Sequence, residues 1–294
     1  MAKQNNVHLF AQVLKTTVAT DEEGMYTRGM MLVNTIRGLR KTGEKQLSLR
    51  YDPIWVLSAN PSIIQRIANL KQYDLVYLKG VFTTKNVNKS NVCPHCGKKT
   101  TRKGTMEFIT PIHIIVYRRD LMKDESTTVL QENIEISNEA EVIGTLTKDP
   151  QFFVTPSNIY RTSYSLVVKR KFRITEDNAE IKSDYPKIRS FGKIASSDAL
   201  ALREGSLVFV SGVLQSRTYQ KQVECENCEG SFEVSDSSLE IVPYSVEYLK
   251  NYRTRAEIEA DKEMEDITAF AQSEEGDATD LFNANVVLEG TEEN

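Results

Sequence analysis

The sequence predicts an all-β protein that consists of two small barrels in tandem, each built from five strands and one helix. Three observations lead to this prediction. An apolar strand pattern recurs at a constant offset of 132 residues, and a Cys-x-x-Cys pair recurs at the same offset. Each copy also places one helical pattern between its third and fourth strands.

The repeat is clearest between DLVYLKGVFTT (74–84) and SLVFVSGVLQS (206–216). The matched positions are Leu75, Val76, Gly80 and Val81 in the first copy and Leu207, Val208, Gly212 and Val213 in the second. Two cysteines and a proline of each copy keep the same spacing, so about 40 residues align without a gap. We therefore interpret the chain as a tandem duplication.

The first copy contains five stretches rich in β-branched and aromatic residues and bounded by turn residues, as is typical of strands. They cover residues 7–17, 26–36, 46–57, 74–84 and 106–117. Between the third and fourth, NPSIIQRIANLKQ (60–72) predicts a helix, because Pro61 suits a first helical turn. One face of this helix is apolar and carries Ile63, Ile64, Ile67 and Leu70.

The second copy repeats this order. Its predicted strands cover 138–147, 160–172, 186–192, 206–219 and 237–249, and its helix covers 194–205, ended by Gly205. Five strands with a helix between the third and fourth is the order of the OB-fold, a partly open Greek-key barrel. We expect a first OB domain over 1–118, a polar linker over 119–133 and a second OB domain over 134–250.

Charge divides the chain into a basic body and an acidic C-terminal segment. Residues 256–294 hold 13 acidic residues and one lysine, so the net charge of −4 for the whole chain leaves +8 for residues 1–255. This composition predicts a disordered acidic tail over 251–294. No leader or membrane-spanning run is evident in the sequence, which favours a cytoplasmic protein, at a nucleoid or a phage replication site, without a membrane partner.

Three motifs follow one another in the second copy, between about Asn138 and Leu249. GTLTKDP comes first, FGK before a helix comes second, and the pattern G-x-x-V-x-V-x-G-x-L-x-x-R with a nearby aromatic residue comes third. Together and in this order, they resemble the bacterial and phage single-stranded DNA-binding proteins. The first copy shares only the core pattern. The resemblance implies a non-enzymatic protein that binds single strands.

The resemblance implies that bases stack on aromatic side chains set among basic residues. In the second copy the aromatic positions are Phe172, Tyr185, Phe191 and Tyr219, and the basic ones are Lys169, Lys171, Lys187, Arg189, Lys193 and Arg217. In the first copy the candidates are Tyr26, Tyr51, Trp55 and Lys85, beside Arg28, Arg37 and Arg50. Such a surface binds unpaired strands with little sequence preference, because every base has a flat face. The alternative for each aromatic residue is a place in the barrel core.

All four cysteines lie in two turns, in VCPHCGKK (92–99) and ECENCEG (224–230), each between the fourth and fifth strands of its copy. Such turns present two thiolates at the spacing that zinc requires, and structural zinc takes four ligands. We therefore predict one structural zinc ion per chain, bound by Cys93, Cys96, Cys225 and Cys228. The alternatives are a site completed by a second chain, a mixed site that includes His95 or His113, and a redox pair.

We expect the protein to protect single-stranded DNA during replication or recombination, and we see no nucleophile–base pair that would indicate an enzyme. Two alternatives remain: a recombination or conjugation mediator that acts through protein contacts, and a single-stranded RNA-binding protein. The family tends to assemble four OB units, so the resemblance implies a homodimer. Family members dock replication and repair proteins through an acidic tail, for which Phe270 or Phe282 is the candidate here.

Overall fold

A computed structural model describes residues 4–42, 46–156, 158–169, 183–228 and 230–262. Its strands are β1 (Gln4–Thr20), β2 (Tyr26–Thr42), β3 (Gln46–Ser58), β4 (Leu75–Val92), β5 (Lys99–Arg118), β6 (Asn138–Leu146), β7 (Gln151–Val154), β8 (Tyr160–Lys169), β9 (Ser183–Asp184), β10 (Lys187–Phe191), β11 (Leu207–Glu224) and β12 (Ser231–Lys250). Its helices are α1 (Pro61–Ala68), α2 (Lys123–Glu132) and α3 (Gly192–Ala201), with a 3-10 turn at Ile134–Ile136 and a further helical stretch over 255–262. None of the described helices is long and apolar enough to cross a membrane.

The first unit comprises β1 to β5 and α1. Its strands pair in the order β2-β3-β5-β4-β1, and β1 pairs again with β2, so the path returns to its start. Alternation along each strand turns apolar side chains such as Leu9, Val33 and Phe82 into the core, where they are fully buried. The helix α1 begins where the Asn60 side chain accepts a hydrogen bond from the Ser62 backbone N–H at 3.0 Å.

The second unit comprises β6 to β12 and α3. Its strands pair in the order β6-β11-β12-β10-β8, and β8 pairs again with β6. Strands β10 and β12 pair in parallel, as β3 and β5 do in the first unit. The short strand β7 pairs with β8 and lies at the end of the sheet order. Val142, Leu166 and Ile188 are among the fully buried core residues.

The two units are joined by backbone hydrogen bonds between β1 and β6. The antiparallel register runs from Gln4 opposite Ile143 to Leu9 opposite Asn138. The buried side chain of Asn138 also donates to the Thr35 hydroxyl at 3.1 Å and to the Leu214 carbonyl at 2.9 Å. The two units therefore have a fixed relation to one another.

The predicted all-β class is confirmed, and so is a closed five-stranded barrel with few helices. The segment 119–133, predicted as a polar linker, contains α2, whose Leu130 is buried against Phe10, Ile36 and Leu75. Within the segment 251–294, predicted as a disordered tail, residues 255–262 form a helical stretch, and residues 263–294 lie outside the described residues.

Candidate nucleic-acid surface and cysteine cluster

Three of the predicted DNA-binding residues share one side of β10. Ile188 and Ser190 are buried, so the alternating residues Lys187, Arg189 and Phe191 turn to the opposite side, where Lys187 is exposed and the other two are half-buried. We call this outward-facing side of β7, β8 and β10 the outer face of the second unit. The strand period thus separates core residues from candidate ligand contacts, as an OB-fold surface over its second and third strands requires.

The outer face also contains two residues that the sequence analysis did not select. Phe191 lies directly opposite Arg161 of β8, and Arg161 lies directly opposite Phe153 of β7. Residues opposite one another in an antiparallel pair share a face, so these three form one row across three strands. The guanidinium carbon of Arg161 lies 4.7 Å from the centroid of the Phe153 ring. The sequence signal was the pair of aromatic residues in DPQFFV, but the row depends on strand register.

The buried carboxylate of Glu240 lies close to two of the arginines that were predicted to bind phosphates. Glu240 of β12 accepts a hydrogen bond from Arg189 Nη2 at 2.6 Å, and Arg217 Nη1 lies 3.9 Å from its other oxygen. Burial raises the pKa of Glu240, although attraction to Arg217 and Lys187 opposes that rise. Two guanidinium groups are therefore partly neutralised, whereas Lys187 and Lys193 remain exposed.

The other predicted binding residues of the second unit that the structure describes lie outside β10. Tyr185 is 53% exposed, and its backbone N–H donates to the Thr84 hydroxyl of the first unit at 3.0 Å. Tyr219 is 42% exposed on the β11–β12 hairpin, and Lys169 is exposed at the end of β8. The structure therefore places Tyr185 beside the first unit and Tyr219 on the hairpin of the second unit itself. Lys171 and Phe172 lie outside the described residues.

The first-unit candidates divide between separate surfaces. An open cleft of about 820 Å³ is lined by Tyr26, Arg28 and Lys85. Trp55 instead lines a smaller cleft of about 300 Å³, together with Ser216 and Ser238 of the second unit. The Tyr51 hydroxyl accepts a hydrogen bond from Gln131 Nε2 of α2 at 2.7 Å. These candidates do not converge on one point, but Trp55 lies at the junction between the units.

Each cysteine pair lies in the turn of a long hairpin. The β4–β5 ladder ends with Val92 opposite Lys99, and the β11–β12 ladder ends with Glu224 opposite Ser231. In the first turn, the Gly97 N–H donates to the Cys93 carbonyl at 2.9 Å, and Gly97 has a φ of 69°. A left-handed residue at that position favours glycine, since a side chain there is strained.

The two turns bring all four thiols together. Every pair of Sγ atoms among Cys93, Cys96, Cys225 and Cys228 lies within 4.8 Å. The Sγ atoms of Cys93 and Cys228 are 3.7 Å apart, as are those of Cys96 and Cys225. Four sulfur ligands at this spacing fit a soft, tetrahedral metal ion. Among the described residues, no histidine belongs to the group.

The environment of the cluster favours the thiolate form of one cysteine. The Thr100 hydroxyl donates to Cys225 Sγ at 3.4 Å. This hydrogen bond, with one from the Asn227 backbone, lowers the pKa of Cys225 to about 6. A thiolate is the form that binds a metal ion. Apolar Val223, Phe232 and Val234 pack around the cluster.

An ion-pair network joins the same two hairpins closer to the barrels. Asp236 of β12 accepts hydrogen bonds from Lys89 Nζ at 2.5 Å and from Arg102 Nη2 at 2.8 Å. Although burial opposes ionisation, these two bonds lower the pKa of Asp236 to about 2. Charge therefore holds the two hairpins together next to the point where the four thiols meet.

Comparison with known proteins shows the family to which this chain belongs. The sequence model of the "Single-strand binding protein family" matches residues 137–249. "Single-stranded DNA-binding protein B" of Bacillus subtilis (strain 168) is 35% identical over 85 residues, which cover 29% of this chain and 74% of that protein. The chain belongs to the single-strand binding protein family. "Single-stranded DNA-binding protein 1" of Staphylococcus aureus (strain COL) is 36% identical over 85 residues, but the match covers 50% of its length.

The fold of this chain is similar to solved structures over more than its second unit. The wild-type single-stranded DNA binding protein from Thermus aquaticus has a TM-score of 0.54 at 12% identity and covers 87% of this chain and 97% of its own. A deletion mutant of the same protein has a TM-score of 0.52 at 15% identity and covers 87% of this chain and 100% of its own. At this identity the likeness concerns the fold alone, but it includes the first unit.

Proposed function

We propose that this protein binds and protects single-stranded DNA during replication or recombination, with little preference for base sequence. The observation that carries the proposal is the outer face of the second unit, where Lys187, Arg189 and Phe191 alternate with buried residues. Membership of the single-strand binding protein family supports it.

The chemistry of this surface suits an unpaired strand. Lys187 and Lys193 neutralise phosphates, with Arg189 and Arg217 partly neutralised by Glu240. Binding of this kind weakens steeply as salt concentration rises. Phe191, Tyr185 and Tyr219 offer ring faces to the bases, each worth about 1–3 kcal/mol per stacked base. Trp55, at the junction of the units, extends the aromatic path towards the first unit.

Titration with poly(dT), followed by the fluorescence of Trp55, tests the proposal. We expect saturation at a fixed number of nucleotides per chain. The combined substitution Tyr185→Ala, Phe191→Ala and Tyr219→Ala is expected to weaken binding at least about 100-fold, since three stacking platforms are lost. The control Tyr117→Ala removes a tyrosine of similar exposure on β5. Undiminished binding by the folded triple variant would refute the stacking mechanism, and stronger binding to poly(U) would indicate an RNA-binding protein.

We propose further that the cysteine cluster binds one structural zinc ion per chain. The support is the four sulfur atoms within 4.8 Å of one another, two from each Cys-x-x-Cys turn. Cys93, Cys96, Cys225 and Cys228 would hold the ion, and zinc supplies a crosslink between the two hairpins. Metal analysis of the purified chain should give one zinc per chain, and a purified, folded chain without bound metal would refute the proposal.

The two closed strand paths, each with a cysteine turn between its last two long strands, support an origin by tandem duplication. We propose that two such chains form a homodimer with four barrels. Exposed Ile115 and Tyr244 provide apolar surface for the second copy. Light scattering at micromolar concentration should give twice the chain mass, and a strict monomer would refute the dimer.

We also propose that the acidic segment recruits replication or recombination proteins, through Phe270 or Phe282. The support is its composition of 13 acidic residues against one lysine over 256–294. A chain ended at Asn251 should lose these partners in a pull-down with host replication proteins. Equal recovery with the shortened chain would refute the proposal.

A further inference from the structure

The β7–β8 edge of the second unit carries a cleft that the sequence analysis did not select. This cleft of about 310 Å³ is lined by Phe153, Arg161 and Lys187, with Glu240 and Tyr164 among its other residues. Lys187 is also part of the proposed DNA-binding surface, so the cleft adjoins that surface. Its lining combines an aromatic ring with four cationic side chains, which outnumber the carboxylates of Asp149 and Glu240. Aromatic rings and cationic groups are what binding of a single-stranded nucleic acid requires.

The Phe153 ring is positioned so that a base can stack on it. The Arg161 guanidinium, 4.7 Å from the ring centroid, holds the ring in a cation–π contact. Phe153 is nevertheless 43% exposed, so part of its ring surface remains open to a ligand. Arg161 continues the row to Phe191, which lies directly opposite it on β10.

Arg161 also has an unused hydrogen-bond donor. Its Nε atom is buried and has no hydrogen-bond partner among the described residues. A buried N–H group without an acceptor is costly, so an acceptor supplied by a ligand would be favourable. Phosphate oxygens and base carbonyls are such acceptors, and an arginine binds both well because its donors lie in one plane.

We infer that the single strand continues from Phe191 over Arg161 to Phe153, and that one nucleotide occupies the cleft with its base against the Phe153 ring. This inference rests on the proposed single-strand binding of the outer face. It adds one stacking platform to those predicted from the sequence, and it assigns to Arg161 both the support of that platform and a contact with the strand.

Phe152 offers a matched control on the same strand. Its side chain turns to the other side of β7, where its ring centroid lies 5.6 Å from that of Tyr160. Its exposure of 45% is close to that of Phe153. Phe152→Ala and Phe153→Ala therefore remove the same ring at nearly the same exposure, from opposite sides of one strand.

Affinity for dT oligonucleotides of increasing length should be measured for both variants, with thermal unfolding as a check of folding. Phe153→Ala is expected to weaken binding of long oligonucleotides by about 5- to 150-fold, the loss of one stacked base. The loss should vanish for oligonucleotides too short to reach the cleft. Phe152→Ala should bind within about twofold of the wild type, and Phe153→Trp should retain binding, because a larger ring still stacks.

The outcomes separate this inference from the proposed function. If the wild type binds poly(dT) and Phe153→Ala binds equally well, the inference is wrong and the proposed function stands. Equal losses of affinity in Phe152→Ala and Phe153→Ala would also overturn the inference, because they would indicate only a structural role of the β7–β8 hairpin. A wild type that does not bind poly(dT) would refute both.

Discussion

Glu240 offers a test of how the outer face balances its charges. Its side chain is 3% exposed and accepts a hydrogen bond from Arg189, with Arg217 close by. We predict that Glu240→Gln strengthens binding to single-stranded DNA, because both guanidinium groups then face the phosphates without a competing carboxylate. Glutamine keeps an oxygen that can accept from Arg189, so the local geometry should persist.

The expected change is clearest in the salt dependence. On single strands, each additional neutralised phosphate steepens the slope of log affinity against log salt by about 0.7. Release of one or two arginines should therefore steepen the slope by about 0.7 to 1.4. Between about 50 and 200 mM salt, the variant should lose about three- to sevenfold more affinity than the wild type does.

Fluorescence titrations with a dT oligonucleotide over this salt range give the two slopes. Glu139→Gln on β6, opposite His8, removes an exposed negative charge away from the outer face and serves as control. The raised pKa of Glu240 adds a pH test: wild-type binding should tighten as falling pH protonates this carboxyl, and the variant should lack this gain. Equal slopes for the variant and the wild type would refute the reasoning.

Two further predictions concern the paired hairpins. Treatment with a chelator, or Cys225→Ser, is expected to remove the zinc and lower the melting temperature; acid should release the ion too, because protons compete for thiolates. An unchanged melting temperature after complete metal loss would contradict the crosslink. Asp236→Asn should lower the free energy of unfolding by about 1–2 kcal/mol, measured in urea, since Lys89 and Arg102 lose their partner. With the pKa of Asp236 lowered to about 2, its contribution is complete near neutral pH and is lost as pH falls through that value. Asp120→Asn, in an exposed pair with Lys71, should change little, and equal losses would refute the distinction.

Much of the fold could be predicted from the sequence because its signals are local. β-Branched and aromatic runs mark the strands, and Pro61 marks the start of α1. The period of two along IRSF turns Ile188 inward and Arg189 outward whatever the neighbouring strands are. The spacing of the cysteines likewise located two turns that each supply two sulfur atoms, whereas the meeting of the four atoms depends on the two hairpins.

Other features depended on which strands meet and in which register. Local sequence does not show that Phe153 lies in one row with Arg161 and Phe191, because that row crosses three strands. Nor does it show that Arg189 is held by Glu240, which lies 51 residues away along the chain. Nor does local sequence show that Leu130 of α2 is buried, because its partners come from three strands.

The sequence by itself predicted most strands in their order along the chain, the inward and outward alternation and the two cysteine turns, because each of these depends on residues within a few positions of one another. It did not predict β7 or β9. Only the tertiary structure decided which side chains become neighbours. The pairing of β1 with β6, the meeting of the two hairpins and the arginine–carboxylate pairs arise from contacts between distant segments. Such contacts are selected by the packing of the whole chain, and a local pattern does not encode them.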